Sequence, residues 1–311
     1  MKEKNFIKII NDTLNSKYIG DDCAFLSDLG IVVTQDSLVE GVHFDLSFIT
    51  PYQLGYKSVM VNISDVCASG AVAKYLTISL SLPENVDEEF VKAFYEGAKS
   101  ACSGAEIVGG DLTKSEKIFV SVTAIGATGE REISSRSYAK AGQKIIVSGE
   151  HGNSALGLRI LQNKQGREIF KNSQKFIDAH LMPKACVDFS KQIGTFVKAP
   201  YAMMDSSDGL VDTLTQISYA SNVSMVVDFE KIPFDGELLK VYDYKDLIFY
   251  GGEDYELIAT VDEEFLPMLQ DFYVIGEVVE QNEEFLLDIS GKKLNLGDVD
   301  KKIYKHFQGE I

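Results

Sequence analysis

The amino-acid sequence predicts a mixed α/β protein in two packed halves, an N-terminal domain over residues 1–135 and a C-terminal α/β domain over residues 136–311. Three observations lead there. Short apolar strand patterns alternate with helical ones through much of the 311 residues, of which 45% are hydrophobic, ample for one large or two ordinary cores. The alternation is interrupted by a polar stretch rich in Arg and Ser, from Glu130 to Ala141. No Gly/Ser-rich linker accompanies that stretch, so the halves are expected to pack against each other.

Taken in order, Met1 to Leu14 reads as an amphipathic helix with Phe6, Ile7, Ile10 and Leu14 on one side. It lacks the unbroken apolar core of a signal peptide, and no later segment is long enough to span a bilayer. Ile31 to Thr34 reads as a strand that ends in the polar Gln35-Asp36-Ser37. Thr50-Pro51 forms an N-cap and N1 pair for a helix running to about Ser69 and stopped by Gly70. Tyr75 to Leu82 alternates like a strand, and Asp87 to Ser103 is a helix whose acidic first turn suits the macrodipole. Ile107 to Asp111 reads as a strand breaking into a Gly-Gly turn, and Lys117 to Ala127 as a long strand. Beyond the boundary, strands are expected at Lys144 to Val147, Tyr201 to Met204, Val223 to Phe229 and Tyr255 to Val261. Helices are expected at Asn153 to Leu161, within Asp178 to Phe196, and at Asp208 to Ala220.

Charge and cysteine content narrow the function. The formal net charge of −17 argues against nucleic acid or an anionic membrane surface as partner, since both require a basic footprint. The four cysteines, Cys23, Cys67, Cys102 and Cys186, form no C-x-x-C pair and no zinc pattern, which fits reduced thiols in a cytoplasmic protein.

The informative feature is a set of aspartates in apolar or glycine-rich surroundings: Asp21 and Asp22, Asp36, Asp65, Asp111, Asp205 and Asp208. A lone buried carboxylate costs several kcal/mol or more, so such residues call for a cation or several hydrogen bonds. Taken singly, each has an ordinary alternative. Asp208 suits an N-cap for the helix beginning at Gly209, Asp36 a turn start, and Asp111 the close of a Gly-Gly turn. Asp65 resists such a reading, because it falls inside a helix near core positions such as Val61. Together the set favours a hard-cation site, magnesium above all, which takes carboxylate and phosphate oxygens alike. An acidic protein repels a nucleotide unless metal bridges the two. No Walker-type G-x-x-x-x-G-K-[ST], H-R-D or D-F-G motif is present. Several magnesium ions and glycine-turn amides are therefore expected to hold the phosphates.

The order of motifs resembles a known family. Gly20-Asp-Asp-Cys-Ala, Thr34-Gln-Asp-Ser-Leu-Val-Glu-Gly-Val-His-Phe and Val61-Asn-Ile-Ser-Asp-Val-Cys-Ala-Ser-Gly-Ala come first. Gly109-Gly-Asp-Leu-Thr, Ser135-Arg-Ser-Tyr-Ala-Lys-Ala-Gly, Asp205-Ser-Ser-Asp-Gly-Leu and Gly251-Gly-Glu-Asp-Tyr-Glu-Leu follow. The set is similar to the thiamine-monophosphate kinases, of the superfamily that includes aminoimidazole ribonucleotide synthetase and selenophosphate synthetase. The resemblance implies a two-domain fold of that superfamily and a homodimer formed through the N-terminal halves, with ATP near the interface. It implies direct transfer of the ATP γ-phosphoryl group to thiamine phosphate, without a phosphoenzyme.

Residue by residue, the resemblance implies magnesium ligation by Asp22, Asp36, Asp65, Asp111, Asp205 and Asp208, with Thr34 and Gln35 beside them. Gln35 departs from the family's usual Thr. Leu112 likewise stands where a Thr is frequent. Gly110, Asp111, Arg136 and Ser207 match nucleotide-contacting positions, and the Arg136 guanidinium suits a phosphate. His43, Glu253 and Tyr304 match the thiamine phosphate site. Two rival readings lack their signatures. Cys23 has no adjacent base of the kind a selenophosphate synthetase needs. A hydrogenase-maturation relative would end in a reactive Cys, whereas this sequence closes Gln308-Gly-Glu-Ile.

Overall fold

The computed structural model describes residues 2–299 and Lys302. Helix α1 (Lys2–Leu14) precedes the first sheet, built from β1 (Ala24–Leu26), β2 (Ile31–Val39), β3 (Val72–Leu82), β4 (Glu106–Lys114) and β5 (Phe119–Ala127) in the order β1-β2-β5-β3-β4. Helices α2 (Pro51–Ala68) and α3 (Glu88–Ala101) pack together, and α2 lies against this sheet. The start of α2 follows from its sequence. Thr50 and Gln53 form a reciprocal capping box, and Pro51 occupies the first turn, where a missing N–H costs nothing. Asp87 likewise caps α3 by accepting from the Phe90 N–H at 2.9 Å.

Two strand expectations are corrected. Strand β2 does not end at Gln35 but runs on to Val39, with Gln35, Asp36 and Ser37 opposite Thr123, Val122 and Ser121 of β5. Continuous pairing with β5 overrides the local polarity. The alternation of the strand then sends Gln35 and Asp36 to opposite faces. Strand β4 does not break at Gly109-Gly110 but continues in parallel pairing with β3, through a register shift after Leu76. A Cβ at Gly110 would lie 1.8 Å from the Ile78 carbonyl oxygen, so glycine serves close backbone approach here and not a turn.

The second sheet has the order β12-β11-β8-β10-β6-β9-β7. Its strands are β6 (Lys144–Val147), β7 (Ala202–Asp205), β8 (Ser224–Val227), β9 (Leu257–Val261), β10 (Tyr273–Val279), β11 (Leu287–Ile289) and β12 (Lys292–Leu294). Around them lie α4 (Asn153–Leu161), α5 (Ser173–Leu181), α6 (Val187–Phe196), α7 (Leu210–Ser221), α8 (Tyr244–Tyr250) and the short α9 (Leu296–Val299). Buried Ile145, Ile146, Val147, Ile258 and Leu214 fill this core, and Leu54, Ile63, Leu76, Ile78 and Phe94 fill the first. Each such side chain contributes about 1.5–3 kcal/mol.

Helix α2 joins the two halves. It touches α6 and β7 as well as its own sheet, and from Leu54 onward it is buried almost throughout. Bonds across the junction tie it to the other half, while Ser58 and Asn62 bond to carbonyls within the helix itself. Ser64 donates to Asp205 at 2.5 Å, and Ser190 of α6 donates to the Cys67 carbonyl at 2.7 Å. The four cysteines are unpaired, and burial pushes the Cys67 thiol up to about 12.

Candidate active site

Three carboxylates from three separate segments meet where the halves join. Asp22 comes from the loop before β1, Asp65 from the buried face of α2, and Asp205 from the end of β7. One oxygen of each lies within 4.8 Å of the others. Thr34 donates to Asp65 Oδ2 at 2.7 Å, Ser64 holds Asp205 Oδ2, and Arg136 Nη2 reaches Asp22 Oδ1 at 2.8 Å. Asp205 Oδ1 is buried without a hydrogen-bond partner among the described residues.

The electrostatics follow from this crowding. Burial, then the Asp22 charge, push the Asp205 carboxyl up to about 7. Burial, then Asp36, Asp205 and Asp22, hold Asp65 well above the carboxylate range. Burial also raises Asp22, although the Arg136 guanidinium opposes it. Three acids placed against their own ionisation, one with an orphaned oxygen, fit a divalent cation with oxygen ligands.

Beside the cluster opens a cleft of about 1310 Å³, lined by Asp36 and the loop through His43 from one half, and by Ser207, Asp208 and Glu253 from the other. Two motifs are locked together to make its far wall. The Glu253 N–H donates to the Ser207 carbonyl at 2.7 Å and the Ser206 N–H to the Glu256 carbonyl at 2.8 Å, extending the β7–β9 pairing. A Cβ at Gly252 would come within 2.7 Å of the Ser207 carbonyl oxygen, so the glycine lets the two loops touch. Asp254 accepts from the Gly152 and Ser154 N–H groups and so caps α4, whose own N-cap residue offers no side chain. On the near wall His43 Nδ1 accepts from the Val39 N–H at 3.0 Å, which places the proton of the neutral ring on Nε2.

Comparison with known proteins agrees with this architecture. Residues 20–128 match the family model described as AIR synthase related protein, N-terminal domain, and residues 140–289 match that of its C-terminal domain. Thiamine-monophosphate kinase of Aquifex aeolicus is 39% identical, with 98% of each chain covered. The chain belongs to the thiamine-monophosphate kinase family. The Bacillus subtilis thiamine-monophosphate kinase is 33% identical over 93% of each chain. The solved structure of AaThiL complexed with AMPPCP and TMP matches at a TM-score of 0.86 and 38% identity, covering 99% of this chain and 98% of that one.

Against this family background the residues singled out in the sequence separate into groups. Asp22, Asp65 and Asp205 converge, Thr34 supports Asp65, and Asp36, His43, Ser207, Asp208 and Glu253 line the adjoining cleft. The N-cap of α7 is Gly209, without a side-chain bond, and Asp208 stands one residue before it. The Arg136 side chain reaches Asp22 and Gln216, while its Nε is buried without a partner among the described residues. Gln35 stands on the other face of the sheet, where its amide bridges Ser121 and Thr123 at 3.0 and 3.1 Å. That side chain is directed away from the carboxylates. Gly110 and Asp111 lie on exposed β4, outside the cluster. Tyr304 falls outside the described residues.

Sequence reasoning missed Lys57 and His180, which both contact Glu253. A signal for Lys57 existed. It is a lone cation in the otherwise uncharged run from Pro51 to Ser64, a helix that must be buried to bring Asp65 inward.

Proposed function

We propose that this chain catalyses ATP-dependent phosphorylation of thiamine phosphate to thiamine diphosphate. The observation that carries the reading is the Asp22–Asp65–Asp205 cluster opening into a cleft flanked by His43 and Glu253. A phosphate oxygen of thiamine phosphate attacks the γ-phosphorus, a new P–O bond forms, and the bond to the β-phosphate oxygen breaks to release ADP. Asp22, Asp65 and Asp205, with Asp36 and Asp208 from the cleft, would hold magnesium. When bound, magnesium would supply positive charge that offsets these carboxylates and the charge on the transferring group.

The chain's own residues then position the reactants. Ser207 and Arg136 are assigned to the nucleotide, where a guanidinium at the cluster's edge suits a phosphate. The pairing of Arg136 with Asp22 holds that guanidinium at the edge. His43 offers Nε2–H to the thiamine phosphate, and Glu253 accepts from its aminopyrimidine. We assign a homodimer through the N-terminal sheet. Strand β4 is an exposed edge of nine residues, with Val108 and Leu112 uncovered, and such an edge invites pairing with a second copy. Among the described residues no helix is long and apolar enough to cross a membrane, and the reading places the reaction in the cytoplasm.

With ATP and magnesium, ADP is expected to form on addition of thiamine phosphate and hardly at all with free thiamine, because the nucleophile is a phosphate oxygen. A coupled assay on both compounds checks this, and equal turnover of free thiamine would sink the reading. His43→Ala should weaken thiamine phosphate binding by about 1–3 kcal/mol, the cost of an unmade polar contact. Calorimetry should find affinity for an unhydrolysable ATP analogue changed less than about threefold.

A further inference from the structure

Lys57 is buried midway along α2, its side chain 1% exposed, and its Nζ lies 3.0 Å from Glu253 Oε2 in the other half of the molecule. His180 of α5 reaches the same oxygen through Nδ1 at 3.1 Å, and Ser154 Oγ lies 3.1 Å from that nitrogen. The hydrogen bond of His180 Nδ1 is to Ser154 Oγ, and the ring lies against the Glu253 carboxylate. Glu253 and His180 line the cleft, whereas Lys57 does not. Whatever Lys57 does to a ligand in the cleft, it does through Glu253.

The backbone around Glu253 shows why such support is needed. Glu253 and Tyr255 hold φ of 65° and 54°, a left-handed conformation that side-chain-bearing residues adopt at a cost. The surrounding bonds must hold the turn in place. Asp254 is tied to the start of α4, the Glu253 N–H to Ser207, and the Glu253 side chain to Lys57 and His180. Charge points the same way. Burial alone would raise the Glu253 carboxyl, yet it lies below the usual carboxylate range, through Lys57 first and then His180. Burial, with the Lys57 charge, lowers His180 to about 4, so at neutral pH the ring is uncharged and Lys57 supplies the positive charge.

With Oε2 bonded to Lys57 and lying against His180, Oε1 remains for a donor in the cleft. We propose that Lys57 is a positioning residue, which aims Glu253 at the amine-bearing ring of the substrate and makes recognition of that ring depend on a contact between the two halves. This rests on the reading of the cleft as a thiamine phosphate site.

The test compares Lys57→Met, Glu253→Ala and the double variant in full-length protein, by steady-state kinetics with thiamine phosphate and ATP varied in turn. Lys57→Met is expected to raise KM for thiamine phosphate at least about tenfold, with KM for ATP and kcat within about threefold. In the Glu253→Ala background the same change should add less than about twofold, because the group it acts through is gone. A role in packing alone would instead multiply with Glu253→Ala, or move both KM values together. Either result, or a Lys57→Met enzyme equal to wild type, overturns the proposal. Should Lys57→Met fail to fold, Lys57→Gln keeps a long side chain and a polar end, and the same cycle is read with it. If wild type itself fails to turn over thiamine phosphate, the functional reading falls. If wild type is active and the cycle is additive, only the role of Lys57 does.

Discussion

Asp205→Asn is expected to lower turnover of thiamine phosphate by a factor of about 10²–10³ or more at saturating magnesium, the usual cost of losing one preorganised charge at a transferring group. Asp205 is the best placed of the carboxylates for metal. It is buried, its Oδ2 is held by Ser64, and its Oδ1 has no partner among the described residues. The substitution keeps shape and burial, so the fold should survive. Stability without metal gives an independent check. The folded carboxyl sits at about 7 against an ordinary value of 3.8, so the folded state holds a proton that the unfolded chain has released. Stability should therefore fall as pH rises from about 4 to 7, by roughly 1–4 kcal/mol in all, with Asp22 and Asp65 sharing the effect. The amide of the variant carries no such proton. In chelator, the melting temperature of the variant should change less between pH 5 and 8 and exceed that of wild type at pH 8. Magnesium should stabilise wild type more than the variant. Near wild-type turnover by Asp205→Asn would remove Asp205 from the metal set.

Much of this was legible from residue order because the signals were local. The Thr50-Pro51 pair and the acidic turn from Asp87 mark where α2 and α3 begin. Asp65 stood out because a helix with so few charges has no reason to carry a carboxylate on a core-facing side unless something meets it there. What stayed hidden depends on long-range pairing. Gly109-Gly110 reads locally as a turn, and only the parallel partner β3 turns it into a strand. The polar Gln35-Asp36-Ser37 reads as a strand end, and only β5 carries it onward and turns the Gln35 side chain toward Ser121 and Thr123. The Lys57–Glu253 pair spans 196 residues and is made by the docking of two halves, which no local pattern encodes.

Asp111→Asn is expected to cost about as much activity as Asp205→Asn, by a different route. Asp111 lies opposite Ser79 on the open-edge strand β4, outside the carboxylate cluster of its own chain. If the assigned dimer forms through that edge, two-fold symmetry carries each Asp111 toward the other copy, where it serves the partner's nucleotide and metal. The consequence is complementation. A heterodimer of Asp111→Asn and Asp205→Asn chains has one site carrying both defects and one carrying neither. Co-expression with two different affinity tags and tandem purification isolates that heterodimer. It should show about half the wild-type turnover per dimer, while each homodimer stays near background. Were Asp111 to serve its own chain's cluster, each site of the heterodimer would carry one defect and no activity would return. Equal light-scattering masses for all three preparations are required, so that a loss of activity cannot come from dissociation. A heterodimer as inactive as both parents would place Asp111 in its own chain's site, whereas full activity of the Asp111→Asn homodimer would place Asp111 outside the chemistry altogether.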